Sequence, residues 1–150
     1  MAALHAPTLE PVGGASNEYF ARLGEIAGVM LQSPLHRRFQ IASLAVWIEP
    51  ALLLEQVAVL YDRDGVPLAY VAWAQLSQDV LARVSADPRT MLHISEWNEG
   101  ECLWIVDFGA RRGYAHKVSR ILRRSVFKSF DSVAYRRATG QTRSFSRKPG

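Results

Sequence analysis

Apolar residues recur at Phe20, Leu23, Ile26, Ala27 and Met30, three or four apart, and this spacing predicts an amphipathic helix over 18–31. Ser33-Pro34 predicts the start of a second helix over 34–47, with Ser33 as N-cap and Pro34 at the first helical position. That helix is expected to stop before Glu49-Pro50. Two runs rich in β-branched and aromatic residues, 56–61 and 67–76, flank Asp62-Arg63-Asp64-Gly65 and predict a hairpin. A short helix over 77–86 is closed by Asp87-Pro88. Residues 101–108 are almost continuously apolar, as in a central strand, and Asp107 is the one charge set inside that run.

Beyond the glycine-bounded loop Gly109-Ala110-Arg111-Arg112-Gly113, residues 114–130 read as an amphipathic helix. Val118, Ile121, Leu122 and Ser125 share one of its faces, and Lys117, Arg120, Arg124 and Lys128 share another. Segments 132–137 and 142–147 predict a last hairpin around Thr139-Gly140. This order of elements predicts an α+β fold, with a mixed, mainly antiparallel central sheet flanked by helices. Residues 1–17 carry Pro7, Pro11 and Gly13-Gly14 with weak periodicity, so they are read as a flexible arm before a single domain over 18–150.

Composition suits one soluble domain: 150 residues, 49% hydrophobic and 21% charged. The net charge of +4 conceals a polarity. Residues 1–110 hold six basic and thirteen acidic side chains, whereas residues 111–150 hold twelve basic and one acidic, Asp131. The two parts therefore carry −7 and +11, which argues for a localised anion-binding face and against a uniformly basic nucleic-acid coat. No nucleic-acid motif is present, so no nucleic-acid partner is expected. The lone Cys102 has no internal disulfide partner, and no stretch approaches the ~20 apolar residues of a membrane span. The N-terminus lacks the basic start and apolar run of a secretory signal, so a cytoplasmic location is expected.

Three features could carry chemistry. His36, in the first turn of the predicted helix beside Arg37 and Arg38, would be kept neutral and fit to act as a base; the bland alternative is an ordinary first-turn histidine. Asp107, charged within an apolar strand, must be hydrogen-bonded or paired; it is either the partner that orients His36 or half of an ion pair with an arginine. The strand–glycine loop–helix segment 109–115, with Arg111 and Arg112, is either an anion site or turn geometry ahead of a solvated basic helix. His5, His93 and His116 lack ligand spacing to any Cys or His, so no metal site is expected. Cys102 reads as buried, and Trp47, Trp73, Trp97 and Trp104 as core or interface area.

Three segments taken together resemble the bacterial toxin-activating lysine acyltransferases, the enzymes that activate RTX haemolysins. They are Ser33-Pro34-Leu35-His36-Arg37, Pro67-Leu68-Ala69-Tyr70-Val71-Ala72-Trp73-Ala74 and Leu103-Trp104-Ile105-Val106-Asp107. The resemblance covers about residues 23–137. It implies a fold like that of the Gcn5-related N-acetyltransferases, often as a homodimer, with catalytic His36 and Asp107 and with Ser33 in the same motif. It also implies transfer of a fatty acyl group from acyl carrier protein to internal lysines of an RTX-type protoxin. The acyl-carrier phosphopantetheine thioester would then be a co-substrate, with no bound cofactor. Arg111, Arg112, Gly113, Lys117 and Arg120 become the expected donor-binding set, docking the acidic carrier. Two departures stand out: Trp47 occupies a position where the family commonly has Asn, and the Pro-Phe-Gly-like turn after the aspartate is absent. The alternatives are a small acyl-CoA-dependent N-acyltransferase acting on another amine, and a non-catalytic basic binding module.

Overall fold

A computed structural model describes residues 18–137 and 139–146; the arm expected over 1–17 lies outside the described residues. The chain runs α1 (Glu18–Gln32), α2 (Ala42–Trp47), α3 (Glu49–Leu53), β1 (Val57–Tyr61), β2 (Pro67–Leu76), α4 (Gln78–Ala86), β3 (Cys102–Ala110), α5 (Ala115–Arg124), β4 (Ser132–Arg136) and β5 (Thr142–Ser146). Short 3₁₀ turns lie at His36–Arg38 and Ile94–Trp97. The strands form one sheet in the order β1-β2-β3-β4-β5. All neighbours are antiparallel except β3 and β4, which are parallel, giving the mixed, mostly antiparallel sheet of an α+β protein.

β2 explains the layering. Its residues Tyr70, Ala72, Ala74 and Leu76 face a core built with Ile26, Val29, Ile48, Ala51, Val80 and Trp97. Ala69 and Val71 face a second core with Leu103, Val118, Leu122, Phe127 and Val133. A strand covered on both faces has no polar side to show, which is why its sequence reads as a continuous apolar run. Helices α1, α3 and α4 therefore lie on one side of the sheet and α5 on the other.

Both predicted hairpins form. In the first, Asp62 Oδ1 accepts the N–H groups of Asp64 (2.9 Å) and Val66 (3.0 Å), and Gly65 takes φ +76°, a value that favours glycine. In the second, Gly140 takes φ +86°. Ser77 caps α4 by accepting the N–H of Val80.

Two helical expectations are corrected and one is extended. Segment 34–47 is not one helix: after the 3₁₀ turn the chain becomes extended at Phe39 (φ −67°, ψ 143°), and α2 starts only at Ala42. The stop expected before Glu49-Pro50 holds, α2 ending at Trp47, but Glu49-Pro50 also opens a further helix, α3, because proline at the first turn gives up only an N–H that has no partner there. The helix predicted over 114–130 stops at Arg124. The chain then turns so that Phe127 donates its N–H to Leu122 O at 2.9 Å and drops into the second core. Ile121 and Ser125, read on one face with Val118 and Leu122, are exposed while those two are buried. The Ile94–Trp97 turn went unforeseen; it buries Trp97 and is capped by the His93 side chain and Glu96.

The β2–β3 register positions the site. Trp73 pairs with Ile105 and Ala72 with Asp107, so Val106 is an extra residue on β3. Leu103 and Ile105 face α5. Strict alternation would send Asp107 the same way, but the bulge returns it to the face of Tyr70 and Ala72, beneath the segment that follows α1. On its other edge, β3 pairs with β4 only from Leu103↔Val133 to Ile105↔Tyr135, and then runs on alone to Ala110. The two strands part at this point.

Candidate active site

Ser33 belongs to the end of α1 rather than to a new helix. Its N–H bonds to the carbonyls of Val29 and Met30, and no side-chain cap is made at the following turn. Its hydroxyl is instead 2.7 Å from His36 Nδ1. His36 opens a turn of three residues, so the helix-dipole argument for its neutrality does not apply; its environment is set by side chains. The imidazole is buried, with Phe39 packed at 4.9 Å and Tyr70 edge-on at 5.8 Å between ring centroids.

His36 Nε2 lies 2.7 Å from Asp107 Oδ1, so residues 71 apart in the chain meet across the bulge. A carboxylate only accepts, so Nε2–H donates to Asp107; in the neutral imidazole Nδ1 then accepts the Ser33 hydroxyl proton. Asp107 Oδ1 also accepts the N–H of Phe108 at 3.0 Å, and Oδ2 accepts the Tyr70 hydroxyl at 2.6 Å. Of roughly four acceptor positions on the carboxylate, three are filled, and the free one is on Oδ2. Asp107 is partnered by histidine and tyrosine, not by an arginine.

Tyr70 went unrecognised as a site residue because it stands in a strand of hydrophobic residues. A buried tyrosine hydroxyl nevertheless needs a partner, and that was a usable signal. Burial first, then the charge of Asp107 and the hydrogen bond to it, push the phenol above its usual range and keep it a donor. Gly109 makes room for the ring: a Cβ at this position would sit 2.4 Å from Tyr70 Cε1. The glycine expected in a loop is thus a strand residue fixed by close approach.

Both ring nitrogens of His36 are occupied, and its side chain is only 2% exposed against 13% for Asp107. The member of the pair that lines the main cleft is Asp107; His36 borders a separate hollow of about 170 Å³ with Phe39 and Leu44. The main cleft, of about 450 Å³, opens where β3 and β4 part, and Asp107 lines it together with Leu35, Trp47, Trp104, Tyr135 and Arg136. Arg136 donates to the carbonyl of Val84 and stacks over Trp104, its guanidinium 5.6 Å from the ring centroid. Trp47, noted in sequence for standing in place of Asn, is part of this wall.

None of the five expected donor-binding residues lines the cleft. Arg111 is tied to Asp62, both terminal nitrogens lying 3.3 Å from Oδ2, and to the carbonyl of Pro67. It fastens the first hairpin to the end of β3. Arg112, Gly113, Lys117 and Arg120 are exposed, Gly113 with φ +88° and Arg120 3.4 Å from His116 Nε2. Cys102 is half-buried, and among the described residues no group of three or more His, Cys, Asp or Glu is placed to hold a metal ion. No helix among the described residues is long and apolar enough to cross a membrane.

Fold and site together define a small α+β protein with a buried histidine–carboxylate pair at the head of an open cleft. The chain belongs to the RTX toxin acyltransferase family, which matches residues 15–146. It is 33% identical over 109 residues to the leukotoxin-activating lysine-acyltransferase LtxC of Aggregatibacter actinomycetemcomitans, covering 73% of this chain and 64% of the relative. It is 38% identical over 94 residues to the RTX-II toxin-activating lysine-acyltransferase ApxIIC of Actinobacillus pleuropneumoniae, covering 63% and 58%. With the protein-lysine myristoyltransferase RtxC of Kingella kingae it shares 30% identity over 105 residues, covering 70% and 62%. The chain thus spans less than two thirds of the length of each of these relatives.

Proposed function

We propose that this chain transfers a fatty acyl group from a thioester to lysine ε-amino groups of an RTX-type protoxin. The observation that carries the reading is the 2.7 Å contact of His36 with Asp107 at the cleft, in a chain of this family. The relatives' names supply the reaction class, and the Kingella kingae name specifies a fatty acyl group.

The ε-ammonium docks on the free acceptor position of Asp107 Oδ2 and gives one proton to the Asp107–His36 pair. The neutral amine attacks the thioester carbonyl, forming the C–N bond. As the C–S bond breaks, the sulfur leaves as a thiol, taking the second proton from nitrogen, and the pair returns its proton to solvent. His36 Nε2 already carries the hydrogen it donates, so the proton rests on the Asp107 carboxylate, which His36 and Tyr70 hold in place while Ser33 fixes the imidazole. Among the described residues no strand pairs with β3 on its β4 side beyond Ile105, so N–H groups along that edge, other than that of Phe108, which Asp107 holds, are open to the thioester oxyanion. The parting of parallel strands supports the likeness to the Gcn5-related N-acetyltransferase fold.

The donor is acyl carrier protein, docked in the cytoplasm on the exposed basic residues Arg112, Lys117 and Arg120 with the turn at Gly113; Arg111 holds that turn in place. Radiolabelled hexadecanoyl groups offered on acyl carrier protein and on CoA to a protoxin fragment test this. Transfer from the carrier is expected, with loss in His36→Ala. Wild-type transfer by His36→Ala would remove the pair from the mechanism, and transfer from CoA alone would replace the donor.

A further inference from the structure

Behind the parting of β3 and β4, on the α5 side of the sheet, lies a second cavity of about 210 Å³. Ile105, Phe108, Leu122, Phe127, Tyr135 and Phe145 line it. Ile105, Phe108 and Tyr135 also line the catalytic cleft, so the two spaces share a wall at the last β3–β4 pair. The side chains of Ser119 and Arg123 complete the lining, and the Arg123 guanidinium lies 4.3 Å from the centroid of the Phe145 ring.

We propose that this cavity holds the fatty acyl chain of the thioester substrate, with the thioester carbon at the parting of the strands beside Asp107. This rests on the acyl-transfer reading and specifies where its substrate lies. The chemistry of the two spaces assigns the two ends of the donor. A phosphopantetheine arm carries two amides, which an apolar cavity would leave unpaired at a cost. An alkyl chain has no such groups and gains from leaving water. The cleft, lined also by Thr90, Asp107, Arg136 and Arg137, suits the polar arm and the incoming lysine. The cavity suits the chain, each buried methylene strengthening binding about fourfold.

The test compares kcat/KM for hexadecanoyl and hexanoyl thioesters of the same carrier, with the same protoxin fragment as acceptor. In Ser119→Phe, which fills the cavity from α5, the long-to-short ratio is expected to fall at least tenfold. In Phe145→Ala, which enlarges it from β5, the ratio is expected to rise. Reading a ratio makes the result insensitive to any general loss of active protein, and the paired variants must move it in opposite directions. A ratio unchanged in both variants, with the wild type active, overturns the cavity assignment and leaves acyl transfer standing. A wild type inactive on both donors overturns acyl transfer, and this assignment with it.

Discussion

The hydroxyl of Tyr70 donates to Asp107 Oδ2 across 2.6 Å, from a ring that fits only because residue 109 is glycine. Tyr70→Phe keeps the ring and deletes the donor. A hydrogen bond to a charged group contributes about 1.5–3 kcal/mol, so urea unfolding should show a loss within that range. Because Tyr70 acts by holding the carboxylate, kcat should drop by about tenfold or more while KM for the protoxin stays near wild type. A variant that loses stability yet keeps full kcat would leave Tyr70 a packing residue only.

Gly109→Ala tests the same contact from the other side. The new methyl meets Tyr70 Cε1, and neither a buried ring nor a central strand yields easily. Overpacking of this kind costs about 1–3 kcal/mol. The thermal midpoint should fall, and activity should fall with it as the ring is displaced from Asp107. An unperturbed midpoint would mean that the strand relaxes around the methyl.

Ser33 and His36 are separable by magnitude. His36→Ala removes the Nε2–H that orients the accepting Asp107 carboxylate and should reduce transfer by about 10- to 100-fold. Ser33→Ala removes one neutral hydrogen bond to a ring still anchored by Asp107, a loss of about 1 kcal/mol. Its rate should therefore fall less than that of His36→Ala. Equal losses in single-turnover assays would instead give the serine hydroxyl a direct part in the reaction.

Much of this was legible in the sequence, and the failures have physical causes. Strand-like runs and turn chemistry located both hairpins, a nearly continuous apolar run located β3, and residue chemistry together with the three short motifs singled out His36 and Asp107. Alternation could not foretell the extra residue at Val106, because a bulge depends on pairing with β2, and it is the bulge that turns Asp107 toward His36. Ser33-Pro34 carries a helix-start signature, yet the hydroxyl is drawn to the imidazole and caps nothing. Arg111 read as an anion ligand from its place beside a glycine; its partner, Asp62, lies 49 positions away and is visible only in the fold.

That Asp62–Arg111 link predicts a pH dependence. The N–H of Val66 foremost, then that of Asp64 and the Arg111 guanidinium, hold the Asp62 carboxyl below its ordinary range. A depressed folded-state pKa gives stability that is present above the unfolded value and lost as pH falls through the folded one. Asp62→Asn should therefore be less stable than wild type at neutral pH, by a small margin because the pair is partly solvated. The margin should close once wild-type Asp62 is protonated. Urea midpoints at pH 7, 4 and 2 measure it; a margin that persists at pH 2 would point to turn geometry rather than charge.

The charge split between the two parts of the chain makes the last prediction. Twelve of the eighteen basic residues lie beyond position 110, and those among the described residues differ in employment. Arg111 is bound to Asp62, Arg123 stacks on Phe145 and Arg136 donates into the cleft wall. Exposed Arg112, Lys117, Arg120 and Arg124 form the remaining surface on and before α5. Exposed charges act at a distance and are screened beyond about 10 Å at 0.1 M salt. If these residues dock an acidic carrier, KM for carrier-borne hexadecanoyl donor should rise several-fold between low and physiological salt. Lys117→Glu with Arg120→Glu should reproduce that rise at low salt. A truncated, uncharged N-acetylcysteamine thioester has no carrier to dock, so its KM should respond to neither change. Equal salt sensitivity with both donors would move the electrostatic step from the donor to the protoxin.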